Sequence, residues 1–518
     1  MVIVGVVLDG MRAPAWIAWL LGAIRAHAGL TLSLAVISPV RAEPRSVMFS
    51  AYESLDGRLF SSEPDALGQV DLSPTLEGVT KVEAPDANDH GLDVLLCLGT
   101  ATDTEEVPVA ARHGLWSLHL GDPLRYRGEP ALFWELYFGE PAAVSVLESF
   151  DPGSDQRVVL YRSWTATDPV SLERTRNPTY WKSARFALRR LEDLAAGSWS
   201  PAVEPALDGS GAPRSPPSNL DALRHMARTA GRVARRRVRR AAFRRQWFLG
   251  IRQRLGDGLP QDDARPWRVV SPPADRYWAD PFVFESEGET LVFIEQVRYA
   301  DQRGVLAVAR LDREGELSAV EPILSAGHHL SYPYVLRDEG QAFMIPESGE
   351  ARRVELWAAT DFPTRWTREA VLLEGVWAVD ASVMRHGGLY WMWVNQAFEG
   401  GRVDDETFLY FSDRLESGWT PHPRNPVVSD ARRARPAGRP FLRGDALIRP
   451  AQDCTGGYGS RVVFNRVEVL TTEEYRERSI GALGPEWAPG RNLGAHTYTF
   501  DGPWEATDCL GLVSRLRR

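Results

Sequence analysis

A-D-P-F-V-F at 279–284, S-Y-P-Y-V-L at 331–336, V-D-A-S-V-M at 379–384 and G-D-A-L-I-R at 444–449 read as four versions of one short strand. Their second residues are Asp280, Tyr332, Asp380 and Asp445, in successive steps of 52, 48 and 65 residues. Fifteen residues after the first three come Glu295, Glu347 and Asn395. Each closes a strongly apolar strand: L-V-F-I-E, A-F-M-I-P-E and Y-W-M-W-V-N. A unit of about 50 residues built from short strands is the signature of a β-propeller. The fourth unit carries an insertion, C-T-G-G-Y-G-S, and Asn465 is its expected counterpart of Asn395. A fifth blade is expected from the last strands, around His496–Phe500, with Trp247–Arg252 as the closing strand.

Equivalent positions in successive blades point the same way. Asp280, Tyr332, Asp380 and Asp445 are therefore expected in one ring near the axis, with Glu295, Glu347 and Asn395 in a neighbouring ring. Converging carboxylates suit glycosidic-bond cleavage, in which one acid protonates the leaving oxygen and another acts as base or nucleophile. They equally suit holding sugar hydroxyls by charge-assisted hydrogen bonds. The bland alternative is that these polar groups only cap strands and turns. His328, His329 and His496 show no carboxylate–histidine spacing, so no metal is expected.

Working outward, a chain of 518 residues is too long for one core. The 18 tryptophans could stack on sugars, but most are expected in β-rich cores. A net charge of −9 argues against nucleic acid as the partner of the whole molecule. Cys97, Cys454 and Cys509 form neither a disulfide framework nor a metal pattern, which suits the cytoplasm. The N-terminal M-V-I-V-G-V-V-L-D-G reads as a buried strand, not as a signal peptide.

Residues 1–195 alternate apolar runs with helical patterns. Ile3–Leu8, Thr31–Ile37, Val94–Leu98 and Gly114–His119 read as strands, and Pro14–His27 as a helix. That alternation predicts a Rossmann-type α/β domain with parallel strands, whose ligands bind at the strands' carboxyl ends. Residues 196–245 read as a Pro/Ser-rich linker followed by a basic helix. Eight arginines fall between Arg232 and Arg245, around an apolar stripe of Ala230, Ala234, Val238 and Ala241 or Ala242. Such a helix either lies on an anionic membrane surface or is a solvated connector packed on acidic domains; the second reading is slightly favoured. The propeller takes 246–518.

The run G-L-W-S-L-H-L-G-D-P-L-R-Y-R-G at 114–128 ends an apolar strand at a lone histidine, then turns into an Arg-Tyr-Arg-Gly clamp. It resembles the active-site segment of the folate-dependent formyltransferases, matching at His119, Arg125, Tyr126, Arg127 and Gly128. Ser117 stands where that family has an asparagine, and Gly121-Asp122-Pro123-Leu124 replaces its Ser-x-Leu-Pro run. The resemblance implies His119 as general base, Ser117 as a weakened oxyanion donor and Asp151 in S-F-D-P-G as the orienting carboxylate, with Asp155 as fallback. Losing one oxyanion donor slows turnover by about 100- to 1,000-fold. The implied donor is N10-formyltetrahydrofolate. Arg125, Tyr126 and Arg127 would bind substrate.

The propeller region looks like those of the arabinanase and β-xylosidase type. More closely, it resembles the N-terminal propeller of plant glucosamine inositolphosphorylceramide transferases. The runs that carry this are W-A-D-P-F at 278–282, H-H-L-S-Y-P-Y-V at 328–335, M-I-P-E-S at 344–348, A-R-P-A-G-R at 434–439 and R-P-A-Q-D-C at 449–454. The resemblance to the glycosidases implies Asp280 as base and Asp380 as modulator of the acid. At the place of their glutamate acid, blade four offers Arg449, Gln452 and Asp453, so binding is favoured over hydrolysis. The combined expectation is transfer of a formyl group to an amino group of a sugar or glycolipid held by the propeller. The alternatives are a glycosidase or glycan-processing propeller, with Asp280, Asp380 and Glu347 or Asp445 in charge and a degenerate first domain, and a non-catalytic glycan-binding protein.

Overall fold

In the computed structural model the chain divides into two compact units, Met1–Ala234 with Glu399–Gly401, and Arg235–Phe398 with Arg402–Arg518. The structure describes residues 1–38, 45–83, 91–99, 111–123, 125–126, 130–151, 156–198, 204–205 and 215–515. Asp151 is described by its backbone alone.

The first unit is built on one eight-stranded sheet. In chain order its strands are β1 (Val2–Leu8), β2 (Leu30–Ile37), β3 (Thr80–Glu83), β4 (Val94–Cys97), β5 (Leu115–Leu120), β6 (Ala142–Asp151), β7 (Gln156–Ala166) and β8 (Glu204–Pro205). Their order across the sheet is β8-β7-β6-β5-β4-β1-β2-β3. β1 to β5 pair in parallel, whereas β6 runs antiparallel to β5 and to β7. Parallel strands need both faces covered, so they read as continuous apolar runs. Val7, Leu34, Val36, Leu95, Cys97 and Leu115 form that core. The apolar run after β1 becomes α1 (Ala15–Ala26), which buries Trp16, Ile17, Leu20, Leu21 and Ile24. It packs against α4 (Glu173–Ala195), while α2 (Val47–Leu59) and the short α3 (Phe133–Phe138) complete the unit's main helices.

α5 (Asn219–Ala242) is the arginine-rich helix. Its inner face is Ala222 and His225, and the imidazole hydrogen-bonds Tyr52 at 3.2 Å. The apolar stripe read from the sequence lies on the opposite side, where Ala230, Ala234, Val238, Ala241 and Ala242 are all exposed. The helix is therefore packed through Ala222 and His225 and not through that stripe. Polar and small residues face inward because the helix is held by hydrogen bonds, and the alanine–valine row is left outside.

The second unit is a five-bladed propeller. Four blades are four-stranded sheets that begin at Arg276, Ser331, Trp377 and Phe441. The fifth combines Tyr498–Asp501 and Trp504–Ser514 with Phe243–Gln253 and Arg268–Val270 from the unit's start. The last and first strands thus share one ladder, which closes the ring as the sequence reading expected. A second shared feature is a bulge in the inner strands. Register shifts fall between Ala279 and Phe282, Ser331 and Tyr334, and Val379 and Ser382. Within each shift sits a left-handed residue: Asp280 (φ 50°), Tyr332 (φ 47°) and Asp380 (φ 54°). A bulge re-aims the side chain that follows it.

In blade four the positive-φ residue just before the first strand is Gly438 (φ 125°), without a register shift, and not Asp445. Asp445 lies exposed in the turn that leads to the second strand, Ala446–Asp453. The run G-D-A-L-I-R is therefore one strand further out than its sequence likeness suggested. By the same shift, Asn465 sits in the third strand, Arg461–Leu470, and is not the counterpart of Asn395. A Cβ added at Gly438 would meet the Tyr498 carbonyl oxygen at 2.0 Å, and its φ is one that L-residues rarely adopt. Gly438→Ala is expected to destabilise the propeller by about 2–3 kcal/mol, read as a lowered thermal unfolding midpoint; an unchanged midpoint would remove Gly438 from this role.

Candidate functional site

In the first unit the chemistry gathers at the carboxyl end of β5. Ser117 and His119 are two residues apart on that strand and so share a face. Ser117 pairs in register with Glu148 of β6, and directly opposed residues of an antiparallel pair also share a face. The three side chains meet. His119 Nε2 is 3.1 Å from Glu148 Oε2 and 3.2 Å from Ser117 Oγ. His119 is 7% exposed. A carboxylate can only accept, so Nε2 carries the hydrogen that faces Glu148. In the neutral ring Nδ1 is then the basic nitrogen.

The carboxylate that meets His119 is thus Glu148, which the sequence reading missed. A charged residue inside the otherwise apolar V-S-V-L-E-S-F of β6 was the available signal. The side chain of Asp151, together with Arg127, Gly128 and Asp155, lies outside the described residues. Arg125 and Tyr126 are both drawn to Glu140. The guanidinium is 2.7 Å from its carboxylate, and the phenol donates to it at 2.9 Å. Tyr126 also stacks on Phe138. The described half of the clamp is therefore anchored to the Gly139-Glu140-Pro141 turn.

In the propeller the bulged residues do form an axial ring, but its members bond to one another across blades. Asp280 accepts from Thr497 Oγ1 at 2.6 Å and from the Tyr332 N–H at 3.2 Å. Its own N–H donates to Asp508 at 3.1 Å. Tyr332 Oη lies 2.8 Å from Ser382 Oγ and accepts from the Gly438 N–H at 2.6 Å. Asp380 accepts from Arg435 at 2.6 Å and from Gln452 at 3.0 Å. Asp280 and Asp380 are 5% and 2% exposed. Arg435, the Gly438 N–H and Gln452 are therefore blade four's contributions to the ring.

Arg449 and Asp453 are not part of it. Arg449 forms a buried pair with Glu477 at 2.7 Å and reaches the carbonyls of Arg433 and Ala434. Asp453 accepts from Thr455 and shapes its own turn. Both lie where a strand interior and a loop start need them, which explains their place in the sequence without a ligand.

The open part of the site is the rim where inner strands begin and second strands end. Glu347 lies there, accepting from Ser331 Oγ at 2.6 Å and Gly349 N–H at 2.7 Å. Glu295 is 3.0 Å from His329 Nε2, while His329 Nδ1 accepts the Gly304 N–H. Two aromatic rings stand out toward solvent, Trp377 at 45% and Tyr458 at 48% exposure. Tyr458 lies over the Arg435 guanidinium, 4.9 Å from its ring centre, and edge-on to His496. Exposed indole and phenol faces near the half-buried Glu347 carboxylate fit a hydroxyl-rich, flat-faced ligand such as a saccharide.

Beneath the rim, His496 Nδ1 is 2.6 Å from Asp508 and 3.7 Å from Asp280, and its ring stacks on Trp247 at 4.0 Å. Among the described residues Asp280, His496 and Asp508 form a group whose ligand atoms lie close enough for a cation. The arrangement is satisfied instead by an imidazolium between two carboxylates. Burial alone would lower the His496 pKa, but Asp508 and Asp280 overcome it and raise it to about 9. Burial also raises Asp380 to about 6 against the pull of Arg435, and Glu295 to about 7 against His329.

A pKa raised on folding contributes stability below the unfolded value that is lost as pH rises through the folded one. His496 thus stabilises fully below about 6.5 and loses its contribution as pH climbs through about 9. The propeller's unfolding midpoint is expected to fall between these limits, and His496→Gln is expected to flatten that decline. Parallel pH profiles for the two proteins would contradict the assignment.

Residues 270–495 match the family model described as glucosamine inositolphosphorylceramide transferase 1, N-terminal. The transferase of that name from Oryza sativa subsp. japonica is 31% identical over 252 residues, which covers 46% of this chain and 34% of the relative. The one from Arabidopsis thaliana is 33% identical over 232 residues, 43% of this chain and 30% of the relative. The chain spans about a third of the length of the curated relatives it matches. Among solved structures, a GH43 β-xylosidase/α-arabinofuranosidase from a compost microbial metagenome is 15% identical, covering 46% of this chain and 91% of that one, with a TM-score of 0.34. A GH43_1 enzyme from Xanthomonas citri is 12% identical, covering 46% and 87%, with a TM-score of 0.34. The propeller of this chain is therefore similar in sequence to the N-terminal part of the plant transferases.

Proposed function

We propose that this protein is a transferase acting on an amino sugar of a glycolipid, with the propeller holding the saccharide and the α/β unit moving an acyl group. The observation that carries the reading is the His119–Glu148–Ser117 cluster at the carboxyl end of β5. The relatives named as glucosamine inositolphosphorylceramide transferases support an amino sugar on a lipid as the substrate class.

An imidazole tied to a carboxylate and a hydroxyl is the donor set that acyl transfer to an amine needs, so the described residues fit a formyl donor. When bound, N10-formyltetrahydrofolate would supply the formyl group. His119 would take the proton that the acceptor amine loses, at Nδ1, and return it to the donor nitrogen as that leaves. Glu148 would hold the ring's orientation and stabilise the imidazolium. Ser117 would offer a hydroxyl hydrogen to the carbonyl oxygen as its charge grows. Shallow exposure of His119 keeps bulk water from competing for the acyl group.

A second reading, a propeller that binds glycans without cutting them, is favoured over a glycosidase by the axial ring. Hydrolysis needs two carboxyl groups free to flank the scissile bond. Asp280 and Asp380 are each engaged by neighbouring blades.

Formyltetrahydrofolate is expected to raise the protein's thermal midpoint and to support formylation of a glucosamine-bearing acceptor. His119→Ala should lower that rate by about 100- to 10,000-fold while leaving saccharide affinity unchanged. Absence of both protection and transfer would sink the acyl reading. Trp377→Ala and Tyr458→Ala should each weaken saccharide binding about three- to tenfold in calorimetry. Unchanged affinity in both would move the sugar site away from this rim.

A further inference from the structure

α5 presents to solvent a surface that the proposed chemistry does not use. Leu220, Leu223, Ala230, Ala234 and Val238 are exposed and recur at helical spacing, so they form one outward apolar row. Val238 is 69% exposed. A row buried against the protein would explain itself by packing, but here the packed face is the one with Ala222 and His225.

The row is bordered by positive charge. By helical periodicity Arg237 and Arg239 lie about a quarter-turn to either side of Val238, and Arg224 borders the row one end away. Among the described residues, neither these three nor Arg236, Arg240 and Arg245 have a carboxylate partner. No acidic residue occurs from Ala222 to Gly256. Arg245 is held below the usual guanidinium range by lost hydration and by the charges of Arg236, Arg239 and Arg240, which shows how closely the cations crowd. This concentration sits in a chain whose net charge is −9.

We propose that α5 lies in the interfacial plane of an anionic lipid bilayer, its apolar row against the acyl boundary and its arginines among the head-group phosphates. The geometry is that of a helix that rests on a membrane and does not cross it. No helix among the described residues is long and apolar enough to cross one. A second copy of this chain is disfavoured as the occupant, because it would set one arginine cluster against another. The inference stands apart from the acyl-transfer reading, since it needs no activity, and it would bring the enzyme to the surface where lipid-borne sugars are found.

The test is vesicle flotation with the full chain, using phosphatidylcholine vesicles with and without phosphatidylserine. Binding is expected only with the anionic lipid and is expected to weaken steeply with added salt. Replacing Arg224, Arg237 and Arg239 together by Gln should lower the vesicle partition coefficient roughly a hundredfold, while replacing them by Lys should largely keep it. Val238→Glu should weaken binding without changing the arginines. The proposal is overturned by equal binding to neutral vesicles, by no binding to anionic ones, by a Gln variant that binds as well as the parent, or by tighter binding to an RNA oligonucleotide than to the vesicles. Circular dichroism of each folded variant separates a lost surface from a lost helix.

Discussion

The second unit depends on hydrogen bonds that run from blade to blade around the propeller axis. A blade buries its faces against two neighbours, but its inner edge would leave polar backbone unpaired at the centre. The left-handed bulges at Asp280, Tyr332 and Asp380, and the positive-φ turn at Gly438, aim a polar group at the next blade. Asp280 joins blades one, two and five, and Tyr332 joins two, three and four. Asp380 joins three and four, and Arg439 gives its guanidinium to carbonyls of Val283, Val335 and Phe500. These buried carboxylates hold the ring together.

That constraint leaves the rim as the part of the ring open to solvent. There Trp377 and Tyr458 are exposed, Glu347 is partly exposed, and Glu295 is buried against His329. The rim is coupled to the ring below it. Tyr458 covers Arg435, Arg435 grips Asp380, and His496 ties Tyr458's edge to Asp508. A binding surface is rigid when its side chains are locked by such a layer, and rigidity reduces the entropy lost on binding.

The first unit solves a different problem with a strand pairing. Five parallel strands place β5 with its carboxyl end at the sheet edge where α/β proteins bind ligands. The antiparallel β6 then lays its own residues opposite those of β5. Glu148 meets Ser117 and His119 because of that register, and a slip of one residue would send its carboxylate to the other face. The cluster is thus a product of strand direction as much as of residue type.

Repeat length, alternation of apolar strands and the α/β rhythm of the first 195 residues made both folds legible in the chain itself, because periodicity and burial are written locally. So were the inner-strand residues Asp280, Tyr332 and Asp380, which recur at near-constant spacing. What local pattern could not supply was the pairing. Asp445 resembles an inner-strand aspartate, yet the chain reaches the ring earlier, at Gly438, whose N–H meets Tyr332. Gln452 and Glu148 acquire their partners only when strands distant in sequence are laid side by side. The apolar row of α5 was visible as a period, but which side of the helix faces the protein was set by where Tyr52 receives His225. Sequence determined which elements form; tertiary contact decided which of their faces meet, because side-chain chemistry depends on neighbours that only folding brings within bonding distance.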